Sequence, residues 1–125
     1  MGKKKNILIV DDEKDIGNLL KDFLEGEGFD VTLACDGKKA AILLEEIKFD
    51  LMIIDMLLPG EHGIDLILNM KNKFMKPVIV MSGVYSRKEI LSILKDYNVK
   101  YFFKKPFDLA EILKCVKQLF YEESL

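Results

Sequence analysis

The stretch "ILIVDDEKD", Ile7 to Asp15, joins an apolar run directly to an acidic one. Its first four residues are all apolar, which is typical of a strand buried on both faces of a parallel sheet. The strand runs straight into Asp11, Asp12 and Glu13. Carboxylates so close together repel one another and lose hydration, so something positive must offset them.

Outward from this stretch, short apolar runs alternate with amphipathic helical patterns along the whole chain. The other predicted strands are Val31–Ala34, Leu51–Ile54, residues 78–81 after Pro77, and Tyr101–Phe103. Strands that are apolar throughout, separated by amphipathic helices, require a parallel sheet covered on both faces. We therefore predict an α/β fold with a doubly wound, five-stranded parallel sheet. Among the orders common to such sheets we expect the flavodoxin-like (βα)5 arrangement, with strand order 2-1-3-4-5, in which the first and third strands are neighbours.

Helix boundaries and helix faces can also be read from the sequence. Asp36, Ser86 and Asp108 can each cap the helix that follows, and a third helix is expected from about Gly63. The residues that recur at helical spacing are Ile16, Leu19, Leu20, Phe23 and Leu24 in the first helix; Ala40, Leu43, Leu44 and Ile47 in the second; Ile64, Ile67, Leu68 and Met70 in the third; Ile90, Ile93, Leu94 and Tyr97 in the fourth; and Leu109, Ile112, Leu113, Val116, Leu119 and Phe120 in the last.

Size and composition narrow the class of protein. The 125 residues suit one domain, expected to span residues 1–125. With 19 basic and 21 acidic residues the net charge is -2, which gives no electrostatic support for nucleic acid or membrane binding. No apolar run approaches the ~18 residues of a membrane span, and Cys35 and Cys115 are expected to be free thiols. These features predict a cytoplasmic location.

Charged and hydroxyl side chains follow four of the five predicted strands. Asp11 and Asp12 follow the first strand, Asp55 the third, Ser82 the fourth and Lys105 the fifth. Ligands of open parallel sheets bind beyond the carboxyl ends of the strands, where the strand order reverses. A single Asp there is often only a helix cap or a turn residue, but caps do not explain the whole set.

These side-chain types favour phosphoryl chemistry with a metal ion. The first β-α turn carries acidic residues instead of glycines and would repel a bare phosphate, which argues against a nucleotide or flavin site. Carboxylate oxygens suit a hard divalent cation such as Mg²⁺. A carboxylate held beside such a cation and a Lys can act as a nucleophile toward phosphorus. His62, in the loop after the third strand, is expected to be exposed and not a ligand.

Four segments together resemble the receiver domain of two-component response regulators. They are "ILIVDDEKD", "DLMIIDMLLPGEHG", "VIVMSG" and "YFFKKPF". The resemblance covers essentially the whole chain. Within the family, the chain is similar to the single-domain chemotaxis and sporulation regulators. It is compatible with a stand-alone regulator and with a receiver joined to an output domain.

The resemblance implies a role for each matching site residue. Asp55 would be the phosphoacceptor, and Lys105 would pair with the phosphate. Asp11, Asp12 and Asp55 would hold Mg²⁺ together with the backbone carbonyl of Leu57.

The resemblance also implies residues that respond to phosphorylation. Ser82 would bond a phosphoryl oxygen, Gly83 would leave room for it, and Phe102 would be the switch aromatic. Lys105–Pro106 matches a peptide bond that is often cis in the family. The donor would be a histidine kinase or histidine phosphotransfer protein. The face formed by the fourth helix, fifth strand and fifth helix would change shape and serve a homodimer or an output domain.

Two alternatives compete with this reading. A phosphohydrolase of the haloacid dehalogenase type would need an acid/base Asp two residues after the nucleophile, where this chain has Leu57. A degenerate receiver would bind partners without phosphorylation, although the phosphotransfer residues are all present. On the favoured reading the chain is a signalling domain that assists its own phosphorylation and dephosphorylation, and not a dedicated enzyme.

Two further expectations concern residues near the site. Leu57 and Val84 occupy places that tune phosphoryl hydrolysis in the family, and both are apolar here. Since neither can orient an attacking water, slow self-dephosphorylation is expected. Leu91 could form an exposed apolar patch with Tyr101, although ordinary surface or core packing is the favoured explanation of these residues.

Overall fold

A computed structural model describes residues 4–56, 66–67, 69, 74–94 and 97–124 of the chain. The order of its elements is β1 (Asn6–Val10), α1 (Lys14–Gly26), β2 (Asp30–Ala34), α2 (Gly37–Glu46), β3 (Leu51–Asp55), β4 (Val78–Ser82), α3 (Arg87–Ile93), β5 (Val99–Lys104) and α4 (Leu109–Ser124). Residues 66, 67 and 69 are helical and belong to the predicted third helix, whose remainder lies outside the described residues. The predicted fourth and fifth helices are therefore α3 and α4.

The five strands form one parallel sheet in the order β2-β1-β3-β4-β5, which confirms the predicted fold. β1 lies between β2 and β3, so the strand order reverses there. The carboxyl ends of β1 and β3 are therefore neighbours at the point where open sheets of this kind bind ligands. The β4–β5 ladder has a register shift between Val78 and Ile79.

The core consists of two apolar clusters, one on each face of the sheet. In β1, Leu8 and Val10 belong to the cluster that also contains Ala40 of α2 and Ile90 of α3. Ile7 and Ile9 belong to the opposite cluster, with residues of α1 and α4. Successive side chains of a strand point to opposite faces, so a strand between two helical layers must be apolar at every position. Each fully buried aliphatic side chain contributes about 1.5–3 kcal/mol.

Three helices begin at the predicted caps. The Asp36 carboxylate accepts a hydrogen bond from the Lys39 N–H at 2.7 Å, and the Asp108 carboxylate accepts one from the Ala110 N–H at 2.8 Å. Ser86 forms a reciprocal capping box with Glu89. Each cap satisfies backbone donors that have no partner within the helix, which is worth typically ~1 kcal/mol.

Two residues of the predicted helix faces lie elsewhere than expected, and a third lies on its predicted helix but is exposed. Ile47 is the C-cap of α2 in an extended conformation and is 36% exposed, so it does not join the inner face. α3 ends at Ile93, and Tyr97 packs against the core from beyond its end. Leu19 shares the apolar spacing of α1 but is 57% exposed. Residue spacing identifies a helix and its apolar face. Which residues of that face are buried depends on where the chain leaves the helix and on how far the neighbouring elements extend across it.

Two predictions of a more general kind are also tested. Cys35 and Cys115 are free thiols, as expected. Within the described part of the chain, none of the helices is long and apolar enough to cross a lipid bilayer.

Candidate functional site

The carboxyl edge of the sheet brings four predicted site residues to one crevice. Asp55 and Ser82 are the last residues of β3 and β4, and Asp11 and Lys105 directly follow β1 and β5. Asp11 and Lys105 are held by the neighbouring strands, because their N–H groups donate to the carbonyls of Ala34 and Ser82 at 3.0 and 2.9 Å. Asp11, Asp55 and Ser82 are all buried.

The Lys105 ammonium lies between three carboxylates. Its Nζ donates to Asp55 Oδ2 at 2.8 Å, to Asp11 Oδ2 at 3.0 Å and to Glu13 Oε1 at 2.9 Å. An ammonium has three N–H donors, so these bonds engage all of them. The side chains of Lys105, Asp11 and Asp55 are 10%, 0% and 7% exposed, whereas that of Glu13 is 54% exposed. Lys105 therefore supplies the positive charge that the acidic run requires.

Burial and hydrogen bonding act in opposite directions on the pKa values of this cluster. Burial raises the pKa of Asp11 above its usual value, and the hydrogen bonds from the Glu13 N–H and from Lys105 only partly offset this. Burial by itself lowers the pKa of Lys105, but its hydrogen bonds to Asp55, Glu13 and Asp11 outweigh burial and leave the pKa above its usual value. Lys105 is therefore fully charged at neutral pH.

The site also contains a cluster of oxygen donors suited to a metal ion. One carboxylate oxygen each from Asp11, Asp12 and Asp55 lies within 4.8 Å of the others. Asp12 is exposed, so the cluster opens to solvent on that side. Anionic oxygen donors alone, without nitrogen or sulfur, fit a hard divalent cation. The predicted carbonyl ligand of Leu57 and the predicted position of His62 lie outside the described residues.

The Ser82 hydroxyl is held in place by the loop that follows β4. Its Oγ accepts hydrogen bonds from the N–H groups of Val84 at 3.1 Å and Tyr85 at 2.8 Å. Both bonds use acceptor lone pairs, so neither consumes the hydroxyl proton. A Cβ placed on Gly83 would lie 3.7 Å from the Lys105 Cβ, which is an ordinary contact, so Lys105 itself does not require a glycine there.

Phe102 packs on the opposite face of β5 from its two neighbours. It is half-buried against the cluster that includes Ile90 of α3 and Tyr85 of the loop after β4. Tyr101 and Phe103 pack against the cluster that contains α4. Phe102 and Tyr85 thus pack against the same buried cluster, and the Tyr85 N–H is one of the two that hold Ser82. The Lys105–Pro106 peptide bond is cis, as predicted.

Glu13 is a site residue that the sequence reasoning did not assign. It stands in the acidic run after β1, and its contact with Lys105 joins residues 92 positions apart. Its place in that run was the available signal. Its pairing with Lys105 depends on the direction in which the chain enters α1, which no local pattern reveals.

The comparisons with known proteins agree with the geometry of the site. The sequence profile described as the response regulator receiver domain matches residues 7–117. The Francisella response regulator 1452 receiver domain is 30% identical, with a TM-score of 0.87 over 96% of this chain and 99% of that chain.

Two further similar structures contain ligands. The response regulator protein TrrA of Thermotoga maritima, in complex with Mg²⁺-BeF, is 31% identical, with a TM-score of 0.79 over 92% of this chain and 98% of that chain. A response regulator protein from Burkholderia pseudomallei, with a phosphorylated aspartic acid, a calcium ion and citrate, is 26% identical, with a TM-score of 0.79 over 88% of this chain and 65% of that chain.

Proposed function

This chain belongs to the response regulator receiver domain family of signalling domains, and we propose that it accepts a phosphoryl group on Asp55 from a sensor histidine kinase or a histidine phosphotransfer protein. The observation that carries this proposal is the pairing of the buried Asp55 carboxylate with the Lys105 ammonium at 2.8 Å, beside two further Asp carboxylates. Residues 1–125 would act as one receiver domain, in the cytoplasm.

In the proposed reaction, Asp55 attacks the phosphorus of a phosphohistidine. A carboxylate oxygen of Asp55 forms the new O–P bond as the P–N bond breaks, and the electron pair of the broken bond stays on the imidazole nitrogen. Lys105 neutralises charge on the phosphoryl oxygens, and its burial strengthens this interaction. The Ser82 O–H donates a hydrogen bond to one phosphoryl oxygen.

We assign Asp11, Asp12 and Asp55 as ligands of Mg²⁺, with the Leu57 carbonyl as a further ligand. A bound Mg²⁺ would supply electrostatic stabilisation of the charge on the transferring group. The complex of TrrA with Mg²⁺-BeF and the calcium ion in the structure of the Burkholderia protein support a role for a divalent cation. Mg²⁺ is the better candidate of the two because an open site with few protein ligands suits an ion that keeps several waters.

Phosphorylation would be read out through Ser82 and Phe102. The phosphoryl group adds a charge of about -1.5 to -2 and draws the Ser82 hydroxyl toward it. The N–H groups of Val84 and Tyr85 are bonded to the Ser82 Oγ, so the loop after β4 moves with the hydroxyl. Phe102 then repacks into the space that the loop leaves. The result is a population shift between two packings of the surface formed by α3, β5 and α4.

That surface is the proposed site for a second copy of the chain or for an output domain. An open groove of about 530 Å³ lies there between β5 and α4, and its lining includes Arg87, Tyr101, Phe103 and Cys115. On α3, Leu91 is 43% exposed. Aromatic and Arg side chains are enriched where proteins bind one another.

The experiment uses acetyl phosphate as the donor, with Mg²⁺, and intact mass as the readout. We expect wild type to gain one phosphoryl group, and Asp55→Asn to gain none. Asp22→Asn makes the same chemical change on an exposed residue of α1 and should react as wild type does. Omitting Mg²⁺, or supplying Ca²⁺ in its place, tests the choice of metal.

The same experiment separates the alternatives. Turnover that releases phosphate without a stable adduct would favour the haloacid dehalogenase type of hydrolase. No reaction of folded protein with any donor would favour the degenerate receiver. A phosphoryl group that forms equally on Asp55→Asn would refute Asp55 as the acceptor. Membership of the receiver family argues against the hydrolase, and the Asp55–Lys105 pair at 2.8 Å argues against the degenerate receiver.

A further inference from the structure

Glu13 has a side-chain position that its place in the secondary structure does not explain. It is the N-cap residue of α1, yet its side chain makes no capping hydrogen bond. In α2 and α3 the corresponding side chains cap their helices. The Glu13 carboxylate lies instead against the Lys105 Nζ at 2.9 Å.

The backbone holds Glu13 in this orientation. Its N–H donates to Asp11 Oδ1 at 2.9 Å, while Asp11 Oδ2 accepts from Lys105 at 3.0 Å. Asp11, Glu13 and Lys105 thus form a closed ring of contacts. Within this ring Glu13 is the partner of Lys105 with the most exposed side chain, and therefore the one that is exchanged at the lowest desolvation cost.

The three carboxylates occupy every N–H donor of the Lys105 ammonium. A phosphoryl group on Asp55 can take a hydrogen bond from Lys105 only if one of these bonds is released. The bond to Asp55 Oδ2 can pass to the phosphoryl group itself, and any second bond must come from Asp11 or Glu13. The Asp11 side chain is fully buried and that of Glu13 is 54% exposed, so Glu13 yields the more readily of the two.

We propose that Glu13 is a positioning residue that competes with the phosphoryl group for the Lys105 ammonium, and so sets how readily the site enters its phosphorylated state. This inference rests on the proposed function. Ion pairs with one exposed member contribute little, so loss of the Glu13 contact should change occupancy of the phosphorylated form by about 1.5- to 5-fold.

The test measures equilibrium binding of beryllium fluoride, a phosphoryl mimic that requires no covalent step. The chain contains no Trp, so binding is followed by the backbone amide NMR spectrum instead of indole fluorescence. Each variant is titrated at a Mg²⁺ concentration that saturates it, and its Mg²⁺ affinity is measured separately. This keeps any change in metal binding apart from the competition for Lys105.

Three variants distinguish competition from a general effect of charge. Glu13→Gln keeps the volume and removes the charge, and Glu13→Asp keeps the charge but shortens the reach to Lys105. Both should bind beryllium fluoride about 1.5- to 5-fold more tightly than wild type. Glu25→Gln removes the same charge from an exposed pair with Lys21 on α1, and should leave the affinity unchanged.

Either of two results would overturn the inference. One is an unchanged affinity in Glu13→Gln. The other is a gain in Glu13→Gln with none in Glu13→Asp, which would mean that the charge acts through space and not by holding Lys105. Failure of the proposed function looks different, since wild type would then neither bind beryllium fluoride nor accept a phosphoryl group from acetyl phosphate.

Discussion

Replacing Lys105 with Met tests the claim that one buried ammonium holds the acidic site together. Met is similar in size, so the change removes the charge and its three hydrogen bonds with little change in packing. The control is Lys21→Met, which breaks a bond of 2.9 Å to Glu25 on the surface of α1. The two lysines make bonds of nearly equal length, and they differ mainly in burial and in the number of partners.

The expected loss follows from burial of the partners. The Asp11 and Asp55 side chains are 0% and 7% exposed, and Lys105 is their shared partner. Removing one member of a buried ion pair costs about 3–5 kcal/mol, because the remaining charge is left without compensation. Lys105→Met recovers part of this by avoiding desolvation of the ammonium, so we expect a loss of about 3 kcal/mol. The exposed pair of Lys21 should lose no more than about 0.5 kcal/mol.

The dependence on pH and Mg²⁺ has a definite sign. The pKa of Lys105 lies above its unfolded value, so its contribution is fully present at neutral pH. The pKa of Asp11 is raised, so the folded state binds the proton more readily than the unfolded state and its penalty eases as pH falls. Without Lys105 that pKa rises further. The difference in free energy of unfolding between Lys105→Met and wild type should therefore become smaller from neutral pH to about pH 5. Mg²⁺ should stabilise the variant more than wild type.

The assay is equilibrium urea unfolding with a chelator, repeated at the lower pH and with Mg²⁺. Two results would refute the reasoning. One is a free energy of unfolding for Lys105→Met that lies within about 1 kcal/mol of wild type at neutral pH without metal, where loss of the buried pair predicts a difference of about 3 kcal/mol. The other is a gap that widens as pH falls, since this would mean that the carboxylates do not relieve their repulsion by taking up protons.

Three further predictions concern the helix end, the phosphoryl group and a thiol. Gly28 has a φ of 98°, so Gly28→Ala should lower the free energy of unfolding in urea by about 1–2 kcal/mol. Gly26 is helical with open space around it, so Gly26→Ala should be neutral or stabilising by up to about 1 kcal/mol. Equal effects of the two changes would contradict this reasoning. The phosphoryl group on Asp55 should persist well beyond seconds by mass spectrometry without a phosphatase, because the Val84 side chain cannot orient a water, and decay within seconds would count against it. Burial raises the pKa of the Cys115 thiol, so at neutral pH iodoacetamide should alkylate it more slowly in the folded protein than in urea-unfolded protein. The difference in rate should shrink as pH rises. Equal rates at neutral pH would be inconsistent with burial of the thiol.

The composition of the site was predictable because it depends on residue type at strand ends. Apolar runs of strand length identified all five strands, and a parallel sheet aligns their carboxyl ends. Asp11, Asp55, Ser82 and Lys105 therefore had to lie at one edge once the strand order was predicted correctly. The caps at Asp36, Ser86 and Asp108 were equally predictable, since capping involves only a residue and the next turn of chain.

The predictions that failed concern where helices end and which members of a pattern are covered. Ile47 follows the spacing of α2, but the chain leaves the helix at that residue and exposes it. Tyr97 lies beyond the end of α3 and packs against the core from there. Helical spacing is a local property, whereas burial depends on where the neighbouring elements lie and how far they reach.

The sequence by itself determined the fold class and the set of charged residues at the open edge of the sheet, because these follow from local periodicity and from the geometry common to parallel sheets. The strand order was expected from the resemblance to a known fold and not from periodicity. Only the tertiary structure decided how those charges are paired. Lys105 could have contacted any carboxylate within reach, and the choice of Asp11, Asp55 and Glu13 depends on side-chain direction and burial. Glu13 belongs to the acidic run that follows β1 in the sequence. Its role as the exposed partner of Lys105 arises only when chain segments 92 positions apart meet.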